Sequence, residues 1–251
     1  MRPFGELVHE AAHADVGGWD FAWLTGRATE ERPPWRYSRV LAERLAQASS
    51  ALDVDTGGGE VLAEAPVLPP TMVATESWPP NFERARRLLG PRGVRVVRTD
   101  DGAPPPFADA TFDLVTCRHP VRPDWSQIAR VLAPGGHYVA QHVGPDSAVE
   151  LIEHFTGPLP RGEDGRDPHR EAAAAVAAGL DVVSLESARC RMVFHDVGAV
   201  VWILRRCVWW VPDFSVTRYE RALRELDAQL RGGRALVTHS TRHLVVARRP
   251  A

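Results

Sequence analysis

A short stretch, ALDVDTGGGE at 51–60, combines the residue types that can hold a nucleotide-like ligand. An apolar run that contains Asp53 is followed by three consecutive glycines, and a helical pattern begins at Glu60. Glycine tolerates the left-handed dihedral angles of a tight turn, and its missing side chain lets a ligand approach the backbone. The stretch therefore predicts a strand, a turn and a helix start, with a ligand lying against the turn.

A second carboxylate follows at a suitable distance. Glu76 ends the next apolar run, at 72–76, about twenty residues beyond the glycines, where α/β nucleoside sites place the carboxylate that binds the ribose. Carboxylate oxygens suit this role because they accept hydrogen bonds from both vicinal hydroxyls. We therefore expect Glu76, with Ser77 beside it, to contact a ribose.

Two histidines lie at the ends of predicted strands and could act on a bound substrate. His119 follows the strand at 112–117, and His142 lies in the strand at about 137–143. Ligands of open parallel sheets bind beyond the carboxyl ends of the strands, so either imidazole is a candidate general base. His119 is the first choice. His142 is the second, because Gln141 and His142 both stand at the end of their strand and only one of two neighbouring side chains can point to a given face. Asp20 is a third candidate, and a histidine that only bonds the loop backbone is the alternative interpretation of His119.

One motif suggests different chemistry. Residues 9–13 match H-E-x-x-H, which places two imidazoles on one helix face and can bind zinc. A metalloprotease also needs a third ligand and usually a sheet before this helix, and only eight residues precede His9. We therefore interpret His9 and His13 as part of a solvated helix face and predict no metal site.

Four motifs, in order, resemble those of class I S-adenosylmethionine (SAM)-dependent methyltransferases. The glycine stretch resembles their first motif, with Asp55 standing where the first glycine is usual and Gly57 and Gly59 retained. Asp101, in VRTDDGAPPPF, resembles the acidic residue that such enzymes direct at the adenine amino group. FADATFDLVTC at 107–117 and VLAPGGHYVA at 131–140 resemble their fourth and fifth strands. The resemblance covers residues 37–143 well and the flanks loosely.

The resemblance implies SAM as the cofactor and a set of residues around it. The residues expected to bind the cofactor are Asp53, Asp55, Gly57, Gly59, Glu76, Ser77, Asp101, Gly102 and Cys117. Methyl transfer from a sulfonium is an in-line displacement, so the protein must hold the acceptor and the methyl group about 3–3.5 Å apart in a dry pocket.

The pattern of the elements predicts a three-layer α/β/α sandwich with a mostly parallel, seven-stranded Rossmann-like sheet. Strands alternate with helices up to residue 145, which implies parallel order and right-handed crossovers. We expect an N-terminal helix and lid at 1–36, a SAM-binding core at 37–145, and further strands at 146–251. That last part carries a helical insertion at about 196–231 over the active site.

The lid prediction depends on an aromatic-rich stretch, WDFAWLTGRATEERPPWRY at 19–37. Aromatic rings stabilise a sulfonium cation through the ring quadrupole, and Trp19, Phe21 and Trp23 are the candidates. A packed surface turn is the alternative interpretation. CVWWVPDF at 207–214, in the insertion, is either core or a wall of the substrate pocket.

The net charge and the composition of the chain exclude some classes of protein and some kinds of catalysis. The formal charge of −2 is unlike the basic balance of a dedicated nucleic-acid binder, so we expect no nucleic-acid partner. All 30 basic side chains are arginine, which excludes a lysine Schiff base. No apolar stretch is long enough for a membrane span, and three scattered cysteines are typical of a reducing cytoplasm.

The most consistent function is SAM-dependent O- or N-methylation of a small molecule, such as a natural product or metabolite, by a monomer or homodimer. An RNA or protein methyltransferase is one alternative, although the predicted lid favours a closed pocket over the open, basic mouth that a large substrate needs. A SAM-binding protein without transferase activity is the other.

Overall fold

A computed structural model describes residues 2–17, 21–100, 102–160 and 166–251 of the 251-residue chain. The helices of these ranges are α1 (Phe4–His13), α2 (Tyr37–Leu45), α3 (Glu60–Ala63), α4 (Pro79–Leu89), α5 (Trp125–Val131), α6 (Val149–Thr156), α7 (Pro168–Ala177), α8 (Val197–Arg206) and α9 (Glu220–Arg231). The strands are β1 (Ala28–Glu30), β2 (Ser50–Val54), β3 (Thr71–Glu76), β4 (Arg95–Arg98), β5 (Phe112–Arg118), β6 (Leu132–Val143), β7 (Asp181–Phe194) and β8 (Leu236–Arg248).

The described strands form one sheet in the order β1-β7-β8-β6-β5-β2-β3-β4. Strands β2 to β6 pair in parallel, whereas β8 is antiparallel to β6 and β1 is antiparallel to β7. The predicted α/β fold with a mostly parallel sheet is therefore confirmed. The sheet of the described residues has eight strands where seven were expected, because Ala28–Glu30, in the predicted lid, pairs as an edge strand.

The chain divides into two compact units, each with its own core. The first comprises Met1–Arg32, Asp146–Glu163 and Arg189–Thr241, and the second comprises Pro33–Pro145, Asp164–Ala188 and Arg242–Ala251. Strands β7 and β8 contribute residues to both.

The second unit contains the parallel strands and has apolar packing on both of their faces. Ala51 and Ala74 belong to a cluster with α2 and α4, whereas Leu52 and Val73 belong to a cluster with α5 and α7. Neighbouring residues of a strand point to opposite faces, so near-continuous apolar runs are what a sheet between two helical layers requires. This is the predicted three-layer arrangement.

Helices α1 and α8 make up much of the core of the first unit. Helix α8 is buried from Val197 to Leu204, and Asp196 caps it by accepting a hydrogen bond from the backbone N–H of Ala199 at 2.8 Å. A Cβ at Gly198 would lie 2.9 Å from the carbonyl oxygen of Leu7 on α1. The absence of a side chain there therefore allows the two helices to pack closely.

Two pairs of predicted strands are each one strand. The predicted strands at 181–186 and 190–195 are both in β7, and the predicted edge pair at 236–237 and 244–246 is β8, which lies inside the sheet. Neither intervening segment contains glycine or proline, so nothing in them stops an extended chain from continuing. In the described ranges, no helix has the length and apolar character that crossing a membrane requires.

Candidate active site

The turn after β2 has a left-handed backbone at three positions. The φ angles are 51° at Asp55, 65° at Gly57 and 86° at Gly59. Aspartate is among the few residues that tolerate this region, since its short polar side chain bonds locally. Asp55 therefore adopts the left-handed backbone conformation that a glycine would adopt most easily, at the place where the resembling family has one.

Gly59 is needed because of what surrounds it. Its φ is 86°, and a Cβ there would lie 2.8 Å from Cδ1 of Leu89, which is fully buried. The turn can therefore pack against α4 only without a side chain at this position.

Glu76 connects the end of β3 to this turn. One carboxylate oxygen accepts a hydrogen bond from the backbone N–H of Gly57 at 2.8 Å, and the other accepts one from the N–H of Trp78 at 2.8 Å. Burial raises the pKa of Glu76, and these two N–H groups act against that shift. A carboxylate has about four lone-pair positions, so two remain for the hydroxyls of a ribose. Ser77, half-buried, follows Glu76 directly in the chain.

Asp53 lies one residue before the end of β2 and connects β2 to β5. Its carboxylate accepts a hydrogen bond from the hydroxyl of Thr116 at 2.6 Å, and its side chain is buried. Burial raises the pKa of Asp53 to about 6, and the bond from Thr116 only partly opposes this. The hydrogen bond from Thr116 on the neighbouring strand β5 thus fixes the side chain of Asp53.

The carboxyl ends of three strands lie side by side. Val54 of β2 pairs with Cys117 of β5, which in turn pairs with Ala140 of β6. The thiol of Cys117 is buried, and burial raises its pKa well above the ordinary value, so it stays protonated. The carbonyl oxygen of Cys117 accepts a hydrogen bond from the hydroxyl of Tyr37 at 3.0 Å. Helix α2 is thereby tied to this edge of the sheet.

His119 belongs to a row of hydrogen-bonded side chains at the same edge. The indole N–H of Trp35 donates to Oε1 of Gln141 at 2.8 Å, and Nε2 of Gln141 lies 2.9 Å from Nε2 of His119. The backbone N–H of His119 also donates to the carbonyl oxygen of Gln141 at 2.7 Å. Gln141 is buried, and the His119 side chain is half-buried with a backbone φ of 62°.

His142 points to the other face of β6, and both of its ring nitrogens are engaged. Nδ1 contacts the carboxylate of Glu171 on α7, and Nε2 lies 3.0 Å from the hydroxyl of Tyr138. The same carboxylate oxygen of Glu171 lies 2.8 Å from Nε2 of His243 on β8. With no ring nitrogen left for a substrate, we assign His142 to the attachment of α7 to the sheet.

The cluster of His142, Glu171 and His243 has the residue types of a metal site and is fully inside the unit. The distances between its ligand atoms fit hydrogen bonds better than coordination of a metal ion. Ligands of a tetrahedral zinc, each about 2.0–2.1 Å from the metal, are roughly 3.3 Å apart, whereas His243 and Glu171 are at an ordinary hydrogen-bond distance of 2.8 Å. We therefore describe the cluster as a hydrogen-bonded carboxylate between two imidazoles.

The H-E-x-x-H residues lie on the exposed side of α1. Nδ1 of His13 donates to the carbonyl oxygen of His9 at 2.8 Å, and Glu10 pairs with Arg2 and with Arg27, the latter at 2.6 Å. Within the described ranges no third metal-ligating side chain joins His9 and His13. The two rings line a groove of about 380 Å³ in the first unit, whose lining also includes Glu220 and Arg224 of α9.

Three sequence candidates, Trp19, Asp20 and Asp101, lie outside the described residues. Gly102 is exposed, with a φ of 70°. The other two aromatic candidates of the lid contact Trp202 of the first unit: Trp23 stacks on it with ring centroids 5.7 Å apart, and Phe21, which is exposed, makes an edge contact at 5.8 Å.

Sequence reasoning missed Trp35 and Glu171 as members of these side-chain networks. Trp35 was only one aromatic residue of the proposed lid, and its partner Gln141 is 106 residues away. The usable signals were that Gln141 immediately precedes His142 at a strand end, and that Trp35 stands two residues before a buried tyrosine. Neither identifies a hydrogen bond.

Comparisons with known proteins agree with this geometry. Residues 52–140 match the sequence profile of the family described as "Methyltransferase domain". No curated protein sequence is significantly similar to the chain. An inferred methyltransferase from Bacillus halodurans C-125 has a similar structure, with a TM-score of 0.62 and 18% identity, over 85% of this chain and 99% of that one.

Two further solved structures are named for their substrates. An inferred sarcosine dimethylglycine methyltransferase from Galdieria sulphuraria is 16% identical, with a TM-score of 0.52 over 86% of each chain. A geranyl diphosphate methyltransferase in complex with GPP and sinefungin is 17% identical, with a TM-score of 0.50 over 84% of this chain and 76% of that one. At such identities the likeness concerns the fold. Together with the profile match, which spans the glycine turn, Glu76 and the end of β5, it identifies residues 52–140 as a Rossmann-like domain of the class I SAM-dependent methyltransferases, with SAM as cofactor.

Proposed function

We propose that this chain transfers a methyl group from SAM to an oxygen or nitrogen atom of a small-molecule acceptor. The observation that carries the proposal is the bond between the Glu76 carboxylate and the Gly57 N–H, at the ends of two neighbouring parallel strands. It presents a carboxylate for a ribose beside a turn that a ligand can approach.

The proposed roles follow the order of the site along the sheet edge. Glu76 accepts from the ribose hydroxyls, and Gly57 and Gly59 supply the turn. Asp101 is proposed to contact the adenine, as the resemblance implies. The remaining residues proposed to surround the cofactor are Asp53, Asp55, Ser77, Gly102 and Cys117. His119 is the side chain proposed to face the acceptor.

Several observations support a small acceptor. The formal charge of −2 does not favour an RNA substrate. Two structural neighbours carry the names of small substrates, geranyl diphosphate and sarcosine or dimethylglycine. Closure by residues 1–36 and by the helices of 196–231, a cytoplasmic location, and a monomeric or homodimeric state remain predictions from the sequence.

The experiment is a product screen. The purified chain is incubated with SAM and pooled small metabolites, and mass spectrometry detects the gain of one methyl group together with S-adenosylhomocysteine. Acceptor-dependent formation of both products is expected. If calorimetry shows that neither SAM nor S-adenosylhomocysteine binds, the proposal is wrong. If both bind and only RNA or protein is methylated, the acceptor class is wrong.

A further inference from the structure

The row formed by Trp35, Gln141 and His119 has a direction that the chemistry of its members dictates. An indole nitrogen is a donor only, so the 2.8 Å contact from Trp35 requires the oxygen of the Gln141 amide as its acceptor. The other end of that amide, 2.9 Å from His119, is then its NH₂ group, which can only donate.

The tautomer of His119 follows from this direction. A ring nitrogen that accepts a hydrogen bond carries a lone pair, so Nε2 of His119 is unprotonated and the proton of the neutral ring is on Nδ1. No described residue is a hydrogen-bond partner of this Nδ1, and the side chain is half-buried. The Nδ1–H group can therefore donate a hydrogen bond to solvent or to a bound substrate.

Electrostatics favour the same neutral state. Burial is the largest cause that lowers the pKa of His119 well below its ordinary value, and neighbouring positive charges lower it further. These charges are the guanidinium groups of Arg118 on β5 and Arg242 on β8, and a proton on His142 of β6 would act in the same direction. An imidazolium would also have no lone pair to accept from Gln141.

We infer that Trp35 and Gln141 are positioning residues that hold His119 with its proton on Nδ1, so that His119 meets the methyl acceptor as a hydrogen-bond donor and not as a base. The inference rests on the proposed function, because it assigns a task at the proposed acceptor site. The two residues act through the amide that joins them to the imidazole, and neither touches the reacting atoms.

A hydrogen-bond donor at this position limits the chemical class of the methyl acceptor. The nucleophile must react without giving a proton to the imidazole, which suits a neutral amine or an oxygen that is already ionised. The nucleophile's lone pair forms the bond to the methyl carbon, and the carbon–sulfur bond breaks with its electrons staying on sulfur. An amine then releases its proton to solvent, and an ionised oxygen has none to release. The Nδ1–H group binds a neighbouring oxygen of the acceptor, such as a carbonyl or carboxylate oxygen.

The first test needs no substrate. In a protein labelled with ¹⁵N-histidine, two-bond couplings identify the protonated ring nitrogen, and His119 is assigned by the signal that His119→Asn removes. We expect the Nδ1–H form from pH 6 to 8. Gln141→Glu should move the proton to Nε2 or give an imidazolium, and Trp35→Phe should mix the tautomers. Gln47→Glu, at an exposed position after α2, is the matched control for Gln141→Glu and should change nothing.

The wild-type spectrum decides the inference even where a variant fails to fold. An Nε2–H tautomer, or an imidazolium at pH 7, would overturn it while leaving SAM binding intact. Conversely, loss of SAM binding would overturn the proposed function without altering the tautomer.

The second test uses the identified acceptor. Asparagine places an amide nitrogen near the position of Nδ1, so His119→Asn should keep turnover within a few-fold, whereas His119→Ala should lose about tenfold to a hundredfold. The pH dependence of turnover should also show no rise that His119→Ala abolishes. Equal losses of about 10²–10⁴-fold in both variants, with the disappearance of such a rise, would identify a base instead.

Discussion

At the scale of single residues, the site depends on carboxylates whose properties differ according to their hydrogen bonds. Glu76 and Asp53 are both buried, and burial raises the pKa of each. Glu76 accepts hydrogen bonds from backbone N–H groups at the sheet edge, whereas Asp53 accepts one from the hydroxyl of Thr116. The carboxylate of Glu76 therefore lies at the edge where we propose that the ribose binds, and the carboxylate of Asp53 also links β2 to β5.

Replacing Glu76 with Ala should weaken the binding of S-adenosylhomocysteine by about 1.5–3 kcal/mol, because two ribose hydroxyls lose a charged acceptor and the turn loses its bond from Gly57. Isothermal calorimetry measures the change. Glu64→Ala, at an exposed position after α3, is the control and should bind like the wild type. An unchanged dissociation constant in Glu76→Ala would mean that another residue binds the ribose.

Asp53 should make the protein less stable as the pH rises. Its pKa is about 6 in the folded chain, above the ordinary value, so between roughly pH 4 and 6 the folded state holds a proton that the unfolded chain releases. Asp53→Asn removes this titration and keeps an oxygen for the Thr116 hydroxyl. From pH 4 to 7 the variant should gain up to about 3 kcal/mol in unfolding free energy relative to wild type.

Urea denaturation at several pH values tests this expectation. Asp181→Asn, at an exposed position on β7, is the matched control. A difference between Asp53→Asn and wild type that stays constant over the whole range would show that Asp53 ionises normally.

At the scale of elements, α7 is attached to the sheet by one carboxylate. Burial alone would raise the pKa of Glu171, but hydrogen bonds from His142 and His243 lower it to about 2. A lowered carboxyl pKa means that the stabilisation is present above about pH 4 and is lost as the pH falls towards 2. The helix itself begins at a separate cap, Asp167, which accepts from two backbone N–H groups.

Glu171→Gln should lower the free energy of unfolding at pH 7 by about 1.5–3 kcal/mol, since two imidazoles lose a charged acceptor. Its stability should also decline less than that of the wild type below pH 4. Glu186→Gln, exposed on β7, is the matched control. Equal stability of Glu171→Gln and wild type at pH 7 would contradict a role in holding α7.

The protein should also purify without stoichiometric zinc. His13 already uses one nitrogen on the α1 backbone, and the His243–Glu171 pair has the spacing of a hydrogen bond. Elemental analysis of protein prepared without chelators checks this. One zinc per chain that is lost in His9→Ala would restore the H-E-x-x-H interpretation, and one lost in His243→Ala would make the buried cluster a metal site.

At the scale of the whole molecule, binding to the parallel-stranded unit should stabilise the folded state. S-adenosylhomocysteine at one hundred times its dissociation constant supplies about 2.7 kcal/mol, which raises the melting temperature by roughly 5–10 °C for a chain of this size. NAD at the same concentration is the control and should cause no shift. An equal shift with NAD would mean that the glycine turn does not distinguish a sulfur-containing nucleoside from a dinucleotide.

The sequence by itself determined the parallel core and the position of the cofactor turn. An apolar strand, a glycine turn and a helix start are local signals, and Glu76 stands at the end of the next strand. Right-handed crossovers bring the carboxyl ends of such strands to one edge, so Glu76, Cys117 and His119 could be assigned to that edge from chain order alone.

Only the tertiary structure decided which side chains meet there and in which direction their hydrogen bonds run. Trp35 and Gln141 are 106 residues apart, and Glu171 and His243 are 72 apart, with no local pattern that pairs them. The sequence ranked His119 as a base, but its lone pair is occupied by an amide that Trp35 orients. The continuity of β7 and β8 was also decided by sheet pairing. The physical reason is the same in each case: periodicity reports which face of an element is apolar, whereas a hydrogen bond depends on the position of a partner that folding brings from elsewhere in the chain.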